Sequence, residues 1–348
     1  MKIVRRLSRR VVLLVVVAVA VASVGAGIAL ARGTAAPIGT GVVVIDTNLG
    51  YQGGAAAGTG MVLTSSGKVL TNNHVISGAT TIKVVVPKTG RSYKARVLGY
   101  DRRADVALLQ LQGASNLKTV SISSAKPSVG ATVTALGNAG GSGTISSAIG
   151  TVTGLGKSIT ASDEQGGAEQ LTGLIETNAG VEPGDSGGPL VNSSGQVVGM
   201  DTAGSSSGFG FQDVSATDAY AIPIAKALTI AHTISSGKAS ATVHIGATAF
   251  LGIEVESVAT AGYGYGGQSA SASGALIAGV VSGGPADSAG LAAGDLITAI
   301  NGRSVSSPAA ISAFVLSKKP GAKITVTYLD QSGTSQTASV TLGSGPAQ

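Results

Sequence analysis

The 348 residues contain no cysteine and no tryptophan, and only four phenylalanines and seven tyrosines. The first absence excludes disulfide frameworks, thiolate metal sites and cysteine nucleophiles together. Many small exported domains rely on disulfides, so a cysteine-free exported chain has to hold together by packing alone. Few aromatics beside 53 glycines favour short strands and tight turns over a helical bundle. At roughly 150 residues per domain the length suggests two domains, enough to bury one or two cores without covalent staples.

The formal charge of +6 is not spread over the chain. Lys2, Arg5, Arg6, Arg9 and Arg10 fall in the first ten residues, and without them 18 basic side chains face 17 acidic ones. A nearly neutral body poor in aromatics carries no footprint for nucleic acid. The basic start leads into Val11–Ala31, an apolar run broken only by Ser23, Gly25 and Gly27 and ending in Ala29-Leu30-Ala31. A basic start, an apolar stretch and a small-residue site read as a secretory signal peptide over residues 1–31. The run is also long enough to stay as a membrane anchor, which takes about 20 residues. Ser8-Arg9-Arg10 resembles a twin-arginine export signal. The expected location is outside the cytoplasm, with membrane contact only through an uncleaved leader.

From Gly41 the sequence breaks into short β-rich runs between glycine, serine and asparagine turns, at Gly41–Ile45, Gly60–Thr64, Thr81–Val86, Tyr93–Gly99 and Val106–Leu111, then Ala131–Leu136, Gly150–Thr153, Leu190–Asn192 and Gln196–Met200. Many short strands at regular spacing predict a sandwich or barrel. Ile224–Ile234, entered through Pro223 and ended by Ser235-Ser236-Gly237, predicts a helix. A first, β-rich domain is expected over 41–236, a linker over 237–247 and a small α+β domain over 248–345. In the last, Phe250–Val258, Ala275–Val281, Leu296–Ile300 and Lys323–Tyr328 read as strands, Pro285–Ala289 and Pro308–Ser317 as helices, and Gly262–Gly274 as a low-complexity surface loop.

Gly184-Asp185-Ser186-Gly187-Gly188-Pro189-Leu190 is the sharpest local signal. Glycines on both sides of a serine allow a tight turn that presents the hydroxyl. Amides of Gly184 and Ser186, with Asp185 between them, are then candidates for an oxyanion hole. A glycine-rich turn with an idle serine is the plainer alternative. A serine nucleophile needs a general base, and the histidines are His74, His232 and His244. His232 lies in the expected helix and His244 in the linker, whereas His74 follows a strand and a turn in Leu70-Thr71-Asn72-Asn73-His74-Val75-Ile76. The imidazole in turn needs a carboxylate to fix its tautomer. Asp105, at the mouth of the apolar run Val106-Ala107-Leu108-Leu109, is the candidate, with Asp101 as a rival and a solvated strand-end aspartate as the bland reading.

The order His74, Asp105, Ser186, carried by Thr71–Ile76, Asp105–Leu109 and Gly184–Leu190, resembles the trypsin-like proteases of the HtrA (Deg) type, in particular secreted actinobacterial members with one PDZ domain. Leu136-Gly137-Asn138, Thr177, Tyr220–Ile224 and Gly294–Ile297 add to the likeness, which runs from about Gly58 to Leu342. The resemblance implies a mostly β fold of two six-stranded antiparallel chymotrypsin-like barrels followed by a PDZ domain. The first barrel would supply His74 and Asp105 and the second Ser186. Gly180, six residues before the serine, would form the base of the primary specificity pocket, with Asp201 as the one nearby charge. Phe250-Leu251-Gly252-Ile253 would receive a peptide C-terminus while the peptide adds a strand beside Gly252–Val255. Ile311 and Val315 would face that groove from the helix or serve as plain core contacts.

The chain departs from the family pattern at two points. Asp185 stands where an asparagine is usual, as in digestive proteases, where a freshly cut N-terminus pairs with the aspartate. No activation sequence precedes the first barrel strand. Asn178 replaces a common aspartate near the pocket wall. The expected activity is a metal-free, cofactor-free serine endopeptidase acting on unfolded or exposed protein segments. A chaperone or PDZ adaptor with a dormant protease domain is the alternative. Val42–Tyr51 offers only Tyr51 as an aromatic trimer contact, so a monomer is expected over a trimer.

Overall fold

The computed structural model describes residues 32–34, 39–162, 168–204, 218–257 and 274–348. The leader expected over 1–31 and nearly all of the 262–274 stretch lie outside the described residues. Among these residues no helix is long and apolar enough to cross a membrane.

A short strand β1 (Arg32–Thr34) lies along the second barrel. The first barrel comprises β2 (Val42–Leu49), β3 (Gly54–Val62), β4 (Lys68–Thr71), then the one-turn helix α1 (Asn73–Ile76), β5 (Thr81–Val86), β6 (Arg91–Asp101) and β7 (Val106–Leu111). It closes because β6 pairs with β7 as well as β5, giving six antiparallel strands. The second comprises β8 (Thr132–Gly137), β9 (Ser146–Ser162), β10 (Ala168–Thr177), β11 (Pro189–Asn192), β12 (Val197–Gly204) and β13 (Ala219–Pro223). It closes in the same way, as β9 pairs with both β8 and β10. The expected pair of six-stranded antiparallel barrels is what the chain forms.

Why Val42–Ile45 and Val106–Leu109 are continuous apolar runs rather than alternating ones follows from burial on both faces. Val43, Ile45, Ala107 and Leu109 point into the first barrel, while Val42, Val106 and Leu108 pack outward against Leu136, Met200 and Ile222 of the second. Successive side chains of a strand face opposite ways, so a strand walled in on both sides must be apolar throughout. The seam between the barrels is therefore filled largely by buried apolar side chains from both. Helix α2 (Ile224–Ser235) covers it, burying Ile224, Ala227, Ala231 and Ile234 at helix-face spacing.

The span expected as a linker is partly built into the first barrel. Strand β14 (Val243–Ile245) pairs with β6, and the His244 ring stacks on Tyr100 with centroids 5.0 Å apart. Three residues are too short a run to show as a strand in the sequence. Beyond it come β15 (Thr248–Phe250), β16 (Ile253–Ser257), β17 (Ala275–Val280), α3 (Pro285–Ser288), β18 (Leu296–Ile300), β19 (Arg303–Ser304), α4 (Pro308–Leu316), β20 (Lys323–Leu329), β21 (Ser335–Thr341) and β22 (Gly343–Gly345). The sheet runs β16-β17-β18-β20-β21, so β16 is an edge strand among the described residues, and β15 pairs with β22.

After β22 the chain returns to the first barrel. Ala347 is 4% exposed and belongs to that barrel's core. Its carbonyl accepts from Gly78 N–H at 2.8 Å, and the Gln348 carbonyl accepts from Asn73 Nδ2 at 3.1 Å.

Candidate active site

His74 sits in α1, the single helical turn that follows β4, and Asp105 immediately precedes β7, β4's partner in the sheet. The two side chains meet with His74 Nδ1 2.8 Å from Asp105 Oδ2, while the His74 backbone N–H donates to Oδ1 at 2.9 Å. Both carboxylate oxygens thus fix one residue, ring and backbone together. Burial works to lower the His74 pKa, but the charge of Asp105 and its hydrogen bond outweigh it, and the imidazole is held above its ordinary value of 6.5.

Asp105 has φ +52°, in the left-handed region that non-glycine residues rarely occupy. Such a conformation costs on the order of 1–3 kcal/mol and persists only when its surroundings over-determine it. They do so here: Asn72 Nδ2 donates to the Asp105 carbonyl at 2.9 Å, and the Asp105 N–H donates to Arg102 at 3.0 Å. Asp101, the rival carboxylate, accepts instead from the Ala104 N–H and the Thr242 hydroxyl.

Thr202, which sequence reasoning missed, joins the two barrels at this point. From β12 of the second barrel its hydroxyl donates to Asp105 Oδ2 at 2.5 Å, and its carbonyl accepts from Ser186 Oγ at 3.4 Å. A threonine in a strand has no local signature; only the tertiary pairing reveals it. Through Thr202 the serine, aspartate and histidine form one connected cluster across the seam.

The loop carrying Ser186 is positioned by its own carbonyls. Pro183 C=O accepts from Gly140 N–H and Asp185 C=O from Gly188 N–H, both at 2.8 Å. In a trans peptide the N–H points opposite to the C=O, so the Gly184 and Ser186 N–H groups turn away from those anchors. The Asp185 N–H donates to Glu182 C=O at 2.9 Å within the turn, so of the three residues expected at an oxyanion hole this amide is already engaged. Gly184 and Gly187 have φ +96° and +84°, and a Cβ on Gly187 would strike the Thr59 carbonyl and the Thr71 hydroxyl. The Asp185 side chain is fully buried, and its Oδ2 accepts from Glu182 N–H at 2.9 Å.

Gly180 is exposed, and a Cβ there would meet nothing within 4 Å, so it borders open space. Asp201 is completely buried next to Thr202, its backbone bonded in both directions to the Gly187–Gly188 turn. Asn178 is tied to Thr151, its Oδ1 accepting the Thr151 N–H at 2.7 Å. Among the described residues no cluster of side chains is fit to hold a metal ion.

The six residues expected at a peptide-binding groove do come together. Phe250, Leu251, Gly252, Ile253, Ile311 and Val315 line one cavity, with Val255 and Gln348. Ile311 and Val315 are also part of the core of this domain. Tyr51 stacks on Phe250 with centroids 4.9 Å apart.

Two closed β-barrels with this cluster at their seam, followed by a groove between an edge strand and a helix, define a trypsin-like peptidase joined to a PDZ domain. Residues 58–200 match the trypsin-like peptidase domain family and residues 249–342 the PDZ domain family. The chain belongs to the HtrA-type serine proteases. It is similar to the serine protease PepD of Mycobacterium tuberculosis, 36% identical over 323 residues that make up 89% of this chain and 65% of that protein. It is also similar to the periplasmic serine endoprotease DegP of Escherichia coli, 34% identical over 79% of this chain and 54% of DegP. The chain thus spans about half to two thirds of the length of the curated relatives it matches. A solved HtrA-type protease, AlgW with tripeptide, is 27% identical and aligns over 87% of this chain and 93% of its own, with a TM-score of 0.47.

Proposed function

We propose that the chain is a serine endopeptidase that works outside the cytoplasm, with His74, Asp105 and Ser186 as its catalytic triad. The observation that carries this reading is the Asp105 carboxylate gripping both the ring and the backbone of His74 while Thr202 links the same carboxylate to Ser186. Ser186 Oγ attacks the substrate carbonyl. With Nδ1 turned to Asp105, Nε2 takes the hydroxyl proton and returns it to the leaving amine, and Asp105 stabilises the imidazolium. The Gly184 and Ser186 amides receive the negative oxygen, usually the largest single contribution to acyl transfer.

Substrates are unfolded or exposed protein segments, as the resemblance implies. A peptide C-terminus occupies the PDZ groove, its carboxylate at the Leu251-Gly252-Ile253 amides and its backbone along the edge strand β16. The basic and apolar leader and the periplasmic relatives support export. Tyr51, the one aromatic candidate for a trimer contact, lies against Phe250 of the same chain, which favours a monomer.

The test is labelling by a fluorophosphonate together with cleavage of denatured casein. Wild type should do both, and Ser186→Ala neither, with turnover reduced about 10⁶-fold. Wild-type protein that binds unfolded chains but is never labelled would instead be a holdase.

A further inference from the structure

Thr59 lies in β3 of the first barrel and is completely buried, yet its N–H and its hydroxyl are both engaged by the second barrel around Ser186. Its N–H donates to Ser186 C=O at 2.9 Å. Its hydroxyl donates to Gly184 C=O at 2.7 Å and accepts from Asn138 N–H at 2.9 Å. Its own carbonyl accepts from the Thr71 hydroxyl at 2.7 Å.

These bonds bear on the one joint of the loop that its own hydrogen bonds leave soft. The Gly184 and Ser186 N–H groups belong to peptides whose carbonyls are fixed by Gly140 and Gly188. Between them lies the Gly184–Asp185 peptide, hinged on a glycine at φ +96°, where no Cβ limits rotation. One end of that peptide is held inside its own turn, by Asp185 N–H to Glu182 C=O. The other end, Gly184 C=O, is held from across the seam by Thr59. Rotation of this peptide would change the angle between the two amides that must converge on one oxygen.

We propose that Thr59 is a positioning residue for the oxyanion hole: its hydroxyl, reaching across from the first barrel, locks the Gly184–Asp185 peptide and so sets the convergence of the Gly184 and Ser186 amides. The proposal rests on the peptidase reading above. It assigns Thr59 no contact with substrate, so its effect falls on the transition state and not on binding.

Thr59→Val keeps the shape and removes the hydroxyl, and Thr59→Ser keeps the hydroxyl and removes a methyl group. Loss of an oxyanion donor costs about 10²–10³ in kcat, and loosening both amides without deleting either should lower kcat about 10- to 100-fold. KM for a short peptide should stay within about threefold, since uniform binding is untouched. The acid midpoint of the pH profile should not move, because Thr59 does not touch His74 or Asp105. Thr59→Ser should keep kcat within about threefold of wild type. All rates are taken at a temperature where circular dichroism shows each variant folded, and Thr59→Ala replaces Thr59→Val if the latter does not fold. Wild-type kcat in Thr59→Val or Thr59→Ala, or Thr59→Ser as slow as either, would overturn the proposal. Either result in an enzyme still labelled at Ser186 leaves the peptidase reading standing, whereas an unlabelled wild type removes that reading itself.

Discussion

Replacing Asp105 with asparagine and Thr202 with valine should move the acid limb of the peptidase pH profile in opposite directions. His74 must be neutral to take the serine proton, so activity rises as pH climbs through its pKa. In the wild type that pKa lies above 6.5: burial lowers it, but Asp105 raises it more. Asp105→Asn removes the raising charge and leaves the burial, so the midpoint falls. Thr202→Val removes the hydroxyl that donates to Asp105 Oδ2. The carboxylate then concentrates more of its charge on His74, and the midpoint climbs further.

The losses differ in size for reasons visible in the same bonds. An asparagine amide directed at Nδ1 favours the proton on Nε2, the nitrogen that has to accept one, and kcat should drop about 10⁴-fold. Thr202→Val keeps the tautomer, so kcat should fall only about tenfold or less, while stability falls about 1.5–3 kcal/mol, the usual worth of a buried hydrogen bond to a charged group. Linkage fixes a second sign. A histidine whose folded pKa is raised stabilises the fold fully below its unfolded value and loses that contribution as pH rises through the folded one. Asp105→Asn should therefore destabilise the protein more at pH 5.5 than at pH 8. Measuring kcat/KM for a short peptide from about pH 5 to pH 9, with thermal melts at the two extremes, checks all of this. Midpoints that shift the same way in both variants, or a wild-type midpoint below 6.5, would refute the reasoning.

Gly180 borders open space and Asp201 is fully buried, so neither of the two residues expected at the primary pocket offers an accessible carboxylate to a substrate cation. Cleavage of a denatured proteome should therefore fall after Ala, Val or Leu, and a profile dominated by Lys and Arg would contradict it. Asp185→Asn should leave activity within about tenfold, since the asparagine carbonyl can still accept the Glu182 N–H; an absolute requirement for the carboxylate, together with prior proteolysis near Gly39–Val42, would indicate zymogen-style activation. Gly188→Ala places a methyl group against the Leu136 carbonyl, and it should abolish labelling of Ser186 or lower stability by about 1–3 kcal/mol, as overpacking does.

What could be read from the sequence was whatever a local pattern has to encode. The glycines around Ser186 are needed where they stand, because backbone approaches leave no room for a Cβ at Gly187. The apolar runs of β2 and β7 announce strands because both of their faces are buried. Strand β21 was missed because it is polar along most of its length, with only Ala338 and Val340 buried. Strand β9 was read over Gly150–Thr153 but spans Ser146–Ser162, its distal part carrying exposed glycine and lysine that no core demands. At the site, Asp105 was legible from its place before an apolar strand, whereas its left-handed backbone was not. Thr59 and Thr202 acquire meaning only when the barrels meet, since each makes its decisive bond to a residue more than ninety positions away.

The route from β22 back to the first barrel changes what the PDZ domain can be expected to do. A domain on a free tether would only raise the local concentration of a substrate held by its tail. Here Gln348 lines the PDZ cavity, and its carbonyl also accepts from Asn73, the residue before His74. Ala347, beside it, fills part of the first barrel's core. One segment therefore touches both the PDZ cavity and the helix that carries His74, the proposed general base. Ala347→Asp puts an unpaired charge into that core, so it should undock the segment and strip Gly78 and Asn73 of their partners. At about 1 kcal/mol for each hydrogen bond and about 2–4 °C per kcal/mol in a domain of this size, Tm should fall by about 4–8 °C, and turnover of short peptides should fall with it. Val255→Glu alters the groove on the edge strand and leaves the docked segment alone. It should raise KM for proteins with apolar C-termini without changing short-peptide kcat, because tail binding contributes equally to ground and transition states. If both variants affected only protein substrates, the PDZ domain would be a tether. Loss of short-peptide turnover in Ala347→Asp alone would make it part of the scaffold that holds His74.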